Sequence, residues 1–162
     1  MILAISVFLF GLIIGSFLNV VILRFNTGKT LGGRSQCFSC GKILHWYELI
    51  PVFSFLALKG RCSRCKSGIS PQYPLVELVS GFLFLFLYLK YFPLGLFSSS
   101  LILTSLFFIL SIVLWLSLLI IFVYDLRHKI IPDIFSALFF ICATVITIAQ
   151  SKQVGDYYLL LN

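Results

Sequence analysis

Residues 2–23 read ILAISVFLFGLIIGSFLNVVIL, 22 consecutive positions without a charge. At a rise of about 1.5 Å per residue, an uncharged run of about 20 residues crosses the ~30 Å hydrocarbon layer as a helix. A cleaved export signal would carry a basic start, a shorter apolar core and a small-residue cleavage site. None of these is present, so the segment is expected to stay attached. The rest of the chain agrees: of 162 residues, 60% are hydrophobic and 10% charged, and the mean hydropathy is +1.11. A soluble globular domain would be nearer ~45–50% apolar. The composition therefore predicts an all-α polytopic membrane protein. Further apolar runs at about 75–89, 91–124 and 134–151 bring the expectation to about four transmembrane helices. The third run is punctuated by Pro93-Leu94-Gly95 and Ser98 to Ser100 before its span begins. A break at Gly155 would make Tyr157 to Leu161 the start of a fifth helix.

Between the first two spans the composition changes. Residues 24–73 are rich in Gly, Ser and Cys and carry Arg24, Lys29, Arg34, Lys42, Lys59, Arg61, Arg64 and Lys66 against Glu48 alone. With Arg127 and Lys129 these make ten of the 12 Lys and Arg residues, leaving Lys90 and Lys152 for the opposite side. The positive-inside bias then puts the insert and the link from Asp125 to Asp133 in the cytoplasm, with the amino terminus outside. The expected division is helix 1 (1–23), a cytoplasmic insert (24–73), and helices 2–4 with the start of a fifth (74–162). The net charge of +7 is explained by this topology and by anionic lipid, without nucleic acid as a partner. The apolar patch Leu49 to Leu58 is too short to span; it is either the insert's small core or a surface resting on the bilayer. No internal repeat or low-complexity tract is evident.

Cys37 with Cys40 and Cys62 with Cys65 form two C-x-x-C pairs in this insert. Four thiolates presented by two such knuckles can close a tetrahedral Zn²⁺ site in a loop too small to hold itself together. Paired cysteines also form disulfides and redox centres. The reducing cytoplasm favours zinc. His45 could replace a thiolate, although four cysteines suffice. Cys142, alone in an apolar run, has the character of a small buried hydrophobe.

Asp125 closes the third apolar run, where a carboxylate meets the negative end of the helix dipole and burial would cost more. A residue held where it is unhelpful invites a functional reading; the structural alternative is a solvated partner for Arg127 or Lys129. Asp133 follows Pro132 at the start of the fourth span and complements the dipole there. Glu77 is expected at the interface, and Glu48 offsets nearby cations. Aspartic proteolysis needs two carboxyl groups sharing a proton, and Asp156, expected outside, is a poor partner for Asp125. Gly11 and Gly15 permit close helix approach or are merely tolerated. Nothing resembles a P-loop, a serine triad or a dinucleotide fingerprint.

Taken together, several motifs closely resemble the type IV prepilin peptidases. They are Gly15-Ser16-Phe17-Leu18-Asn19-Val20-Val21, the two cysteine knuckles, His45-Trp46-Tyr47-Glu48-Leu49-Ile50-Pro51, Gly60-Arg61-Cys62-Ser63-Arg64-Cys65 and Tyr73-Pro74-Leu75-Val76-Glu77-Leu78. The family's first catalytic aspartate is followed by five residues, then an aliphatic residue, Pro and Asp, which Asp125 with Ile131-Pro132-Asp133 matches. The resemblance implies a bacterial inner-membrane aspartic endopeptidase. Such enzymes remove the leader of prepilin or pseudopilin substrates, and many N-methylate the new amino terminus with S-adenosylmethionine. It also implies a water attack in which an Asp pair acts as base and acid. The family's second aspartate lies in a Gly-x-Gly-Asp motif on the cytoplasmic side, to which Gln153-Val154-Gly155-Asp156 is a chance likeness. The chain is therefore expected to be an amino-terminal portion, lacking the second catalytic Asp and inactive alone. The alternative is a non-catalytic membrane scaffold whose zinc-binding insert holds a cytoplasmic partner.

Overall fold

A computed structural model describes residues 1–28, 30–92 and 101–160, with 101 and 152–160 described by their backbone only. Its regular elements are helical: α1 (Ile2–Arg24), a 3-10 turn (Trp46–Leu49), α2 (Phe53–Ala57), α3 (Gln72–Tyr91), α4 (Leu101–His128) and α5 (Asp133–Leu160). Among the described residues, extended pairing is limited to two isolated bridges, Gln36 with Ile43 and Arg61 with Gly68. Four helices, α1, α3, α4 and α5, are long and apolar enough to cross a membrane. The protein is thus an all-helical, multi-pass membrane protein. It divides into two compact units, Met1–Phe86 and Leu87–Asn162.

In the first unit, α1 turns a stripe of buried positions inward: Gly11, Leu12, Gly15, Leu18, Asn19 and Ile22. In a helix that is apolar all round, small residues rather than hydrophobicity mark the packing face, because lipid tails are as apolar as leucine. A Cβ at Gly15 would lie 2.7 Å from the Glu77 Cα, and one at Gly11 2.8 Å from the Gly81 Cα. The glycine pair is therefore a backbone-to-backbone contact between α1 and α3, not mere tolerance. Asn19 seals the end of that seam nearest the insert, its Nδ2 donating to the Tyr73 carbonyl at 3.1 Å and to the Gly15 carbonyl at 3.3 Å.

The patch Leu49 to Leu58 is not a core. α2 has no buried residue, and Phe53 and Leu56 are 61% and 65% exposed. Those apolar side chains face outward.

In the second unit, α4 and α5 pack against each other, and Cys142 is buried at 5% exposure as a small hydrophobe. Two boundaries differ from the sequence expectation. α4 continues through Asp125 to His128; it ends where Lys129 turns left-handed (φ 52) and its N–H returns to the Asp125 carbonyl at 2.7 Å, a closure typical of helix carboxyl termini. α5 passes through Gly155 without a break as far as Leu160, so no separate fifth helix begins among the described residues. One interior glycine costs a helix only ~1 kcal/mol, and no proline follows it. The punctuation expected at Pro93 to Gly95 and Ser98 to Ser100 falls outside the described residues.

Candidate metal centre and carboxylates

The two C-x-x-C segments fold identically, bond for bond. In the first, the Gly41 N–H donates to the Cys37 carbonyl at 2.9 Å, Cys37 N–H to Lys42 at 2.9 Å and Leu44 N–H to Ser35 at 2.9 Å. In the second, Lys66 N–H donates to Cys62 at 3.1 Å, Cys62 N–H to Ser67 at 2.9 Å and Ile69 N–H to Gly60 at 2.7 Å. The offsets from the leading cysteine are the same, so the insert holds a structural repeat that its sequence does not announce. After each second cysteine the backbone turns left-handed, at Gly41 (φ 67) and Lys66 (φ 60). Glycine does so without steric penalty, whereas a residue such as lysine gives up ~1–2 kcal/mol.

This repeat brings Cys37, Cys40, Cys62 and Cys65 together, with their sulfur atoms within 4.8 Å of one another. The Cys37 and Cys65 sulfurs are 3.8 Å apart. Tetrahedral thiolates at about 2.3 Å from a zinc ion would be separated by about 3.8 Å, so the donor set fits that ion. A disulfide would need about 2.05 Å, and all four cysteines are free thiols. His45 is not part of the cluster; it caps the 3-10 turn and stacks on Tyr47 at 5.4 Å between ring centroids.

The knuckle backbone tunes the thiols. N–H groups of Cys40 and Ser39 stabilise the Cys37 thiolate and, with the Ser67 hydroxyl, lower its pKa to about 6. The Ser67 hydroxyl and amide act on Cys65 in the same direction. The Lys42 amide pulls Cys40 down, but burial and proton sharing with the other three thiols outweigh it and raise that group to about 11. The fold thus favours the thiolate at Cys37 and Cys65 and the protonated thiol at Cys40.

Three further residues hold the knuckles together. The Lys42 ammonium donates to Glu48 Oε1 at 2.8 Å and to Ser63 Oγ at 2.6 Å. Ser63 donates to Glu48 Oε1, and the His45 N–H donates to Glu48 Oε2 at 2.9 Å. Lys42 closes one knuckle and Ser63 lies inside the other, so the Glu48 side chain, 2% exposed, joins both. Ser67 sits 3.1 Å from the Cys65 sulfur and 3.7 Å from that of Cys37. The expectation that Glu48 offsets nearby charge is met with a specific partner. Lys42 and Ser67 escape a motif reading, although each stands at the same offset from its leading cysteine.

The His45 amide, Lys42 and Ser63 hold the Glu48 carboxyl down to about 2 from an ordinary 4.5. A carboxylate lowered on folding stabilises the fold fully above its unfolded value, and that contribution is lost as pH falls through the folded one. Glu48→Gln is therefore expected to lower the insert's unfolding temperature near neutrality. The gap from the unsubstituted protein should close between about pH 4.5 and about pH 2. Thermal unfolding followed over that range checks this, and a gap that stays constant would contradict it.

Glu77 is not a solvated interfacial acid. It is 7% exposed on α3, opposite Gly15, and its Oε2 accepts the Val52 N–H at 2.7 Å, with the Ser16 hydroxyl also bonded to it. Val52 stands at φ 61, ψ −49, where a β-branched residue costs ~1–3 kcal/mol. The hydrogen bond to the buried Glu77 carboxyl offsets part of that cost.

The second unit carries the other acids. Asp125 is exposed in the last turn of α4, and Asp133 is exposed at the first position of α5. Near Asp125, the Tyr124 and His128 rings meet at 4.4 Å. The Asp156 side chain lies outside the described residues.

The family model of the bacterial peptidase A24 N-terminal domain matches residues 9–91, which cover α1 from residue 9 onward, the whole cysteine insert and α3. Among curated proteins, the chain is 51% identical over 82 residues to a prepilin leader peptidase/N-methyltransferase of Myxococcus xanthus, covering 50% of this chain and 24% of that protein. A protein of the same description from Pseudomonas putida is 41% identical over 91 residues, covering 42% and 32%. The type 4 prepilin-like proteins leader peptide-processing enzyme of Escherichia coli O78:H11 is 34% identical over 145 residues, covering 78% of this chain and 50% of that enzyme. The matched segment thus spans half or less of each relative's length. No solved structure matches the chain significantly.

Proposed function

Because this chain belongs to the bacterial peptidase A24 N-terminal domain family, we propose that it is the amino-terminal portion of a membrane aspartic endopeptidase that removes the leader of type IV prepilin-like proteins. The observation that carries this reading is the 145-residue match to the Escherichia coli leader peptide-processing enzyme, which extends past the cysteine insert into the part of the chain that holds Asp125. Asp125 is the catalytic residue of this proposal. As a carboxylate it takes a proton from the attacking water while a second, protonated carboxyl polarises the peptide carbonyl. The relatives are at least twice as long as the matched segment, which leaves room for that second group. Exposure of Asp125 at the end of a spanning helix suits a substrate that arrives from the membrane surface.

The same proposal assigns Cys37, Cys40, Cys62 and Cys65 to a structural Zn²⁺, whose chemistry is to cross-link the insert and take no part in hydrolysis. The Lys and Arg distribution supports a bacterial inner-membrane protein with the insert and Asp125 cytoplasmic. The relatives' names support methylation of the new amino terminus, with S-adenosylmethionine as donor; no residue here is assigned to that step.

Processing of a prepilin by the full-length protein in membrane vesicles tests the assignment. Asp125→Asn is expected to lower the rate by roughly 10²–10⁴-fold, while Asp133→Asn, at the first position of α5, has a smaller effect. Cleavage that survives Asp125→Asn would remove the aspartate from the mechanism.

A further inference from the structure

The apolar outer surface of the insert carries an inference about where that surface sits. The 3-10 turn brings residues three apart onto one edge, so Trp46 and Leu49 share an edge while His45 and Glu48 lie on another, where they hold the knuckles. Trp46 is 78% exposed, and Leu49, Ile50, Phe53 and Leu56 are 41%, 40%, 61% and 65% exposed. A run of this kind is far more apolar outside than a small soluble loop tolerates.

Its position is fixed by α1. Trp46, Leu49, Ile50 and Pro51 form one wall of an open groove of about 480 Å³, and Ile13, Ser16, Phe17 and Val20 of α1 form the other. At about 1.5 Å per residue, these α1 positions lie roughly 6 to 16 Å along the helix from Arg24. Arg24 ends the spanning helix, and its guanidinium binds the exposed carbonyls of Thr30, Leu31 and Gly32. The Trp46–Pro51 wall therefore stands beside a part of α1 that lies below the headgroups. The Val52 N–H bond to Glu77, opposite Gly15 in the α1–α3 seam, fixes the segment at the same depth. Ile13 and Phe17, 57% and 53% exposed on α1, continue the apolar surface from the spanning helix onto the turn.

We infer that the segment from Trp46 to Leu56 is dipped into the bilayer, its groove with α1 filled by phospholipid acyl chains. The occupant follows from continuity: the groove is an extension of the lipid-facing side of a spanning helix. Backbone at that depth needs internal partners. The 3-10 turn, α2 and the Glu77 carboxylate supply them. The cysteine insert is thereby held against the membrane surface, anchored at a third place besides its two ends.

The chain has two tryptophans, Trp46 and Trp115, so Trp115→Phe leaves Trp46 as the only one. The test is its fluorescence in vesicles of phosphatidylcholine and phosphatidylglycerol. The expected result is blue-shifted emission that is strongly quenched by phospholipids brominated in the upper acyl chain and hardly by aqueous iodide. Strong iodide quenching would put the turn in water and overturn the inference. Insensitivity to both quenchers would mean that protein, such as a second copy of this chain, covers the groove, and would overturn it equally. If Trp115→Phe fails to insert, the difference between the unsubstituted chain and Trp46→Phe gives the same reading.

Discussion

Cys62→Ser is expected to take the insert from one bound zinc per chain to essentially none. Cys62 is the most enclosed of the four thiols, at 4% exposure, so no solvent-borne ligand can easily replace it. Substituting residues that merely orient metal ligands already lowers affinity ~10–100-fold. Loss of a thiolate ligand should exceed that, and Ser67→Ala, which removes only a hydroxyl bonded to Cys65 and Cys37, should fall within it. The structural consequence is large because, among the described residues of the insert, no apolar side chain other than Cys62 is buried; structural zinc is worth ~10–16 kcal/mol in small four-ligand domains. Metal analysis of the purified protein, with limited proteolysis of the loop as a structural readout, would check both variants. Full zinc retention by Cys62→Ser would show that the cluster is not the metal site.

Gly15→Leu is the second substitution expected to act strongly. A Cβ there lies 2.7 Å from the Glu77 Cα and 2.9 Å from the Ser80 Cβ, and helix backbone cannot retreat as a side-chain tip can. Overpacking of this kind typically costs ~1–3 kcal/mol. Here the helices must separate, so the Asn19–Tyr73 bond is broken as well; such interhelical bonds average ~0.6 kcal/mol in membranes. The Glu77–Val52 bond would go with it, releasing the strained Val52 and the turn it supports. Unfolding in mixed micelles, followed by circular dichroism, should show a clear loss of stability. Gly32→Ala, where an added Cβ meets nothing within 4 Å, should leave stability unchanged. Equal stability of Gly15→Leu and the unsubstituted chain would refute the close-contact seam.

Much of the architecture is written plainly in hydropathy. The first span is expected over 2–23 and is found as Ile2–Arg24, because a charge-free run bounded by arginine leaves little freedom. The end of α4 was less legible. Asp125 is polar, yet polarity does not stop a helix; a left-handed Lys129 does, and nothing in a lysine codon announces φ 52. Leu49 to Leu58 could have been core or surface because ten apolar residues look alike in either role. The difference was decided by the cysteine cluster and Glu48 occupying the interior. The four cysteines themselves were legible from spacing, while Lys42, Ser63 and Ser67 were not, since serine and lysine are ordinary loop residues until the fold aligns them. Gly11 and Gly15 were ambiguous for a related reason: in a helix with no polar side, only the partner's backbone shows which glycine is needed.

The doubled knuckle also gives biogenesis a timetable. During synthesis Cys37 and Cys40 emerge with their hairpin already able to form, but they wait as half of a clasp until Cys62 and Cys65 have followed. Gln72, where α3 begins, comes only after that. The clasp can therefore fasten while α1 alone is threaded through the lipid, shortening the tether before the next helix must find Gly11 and Gly15.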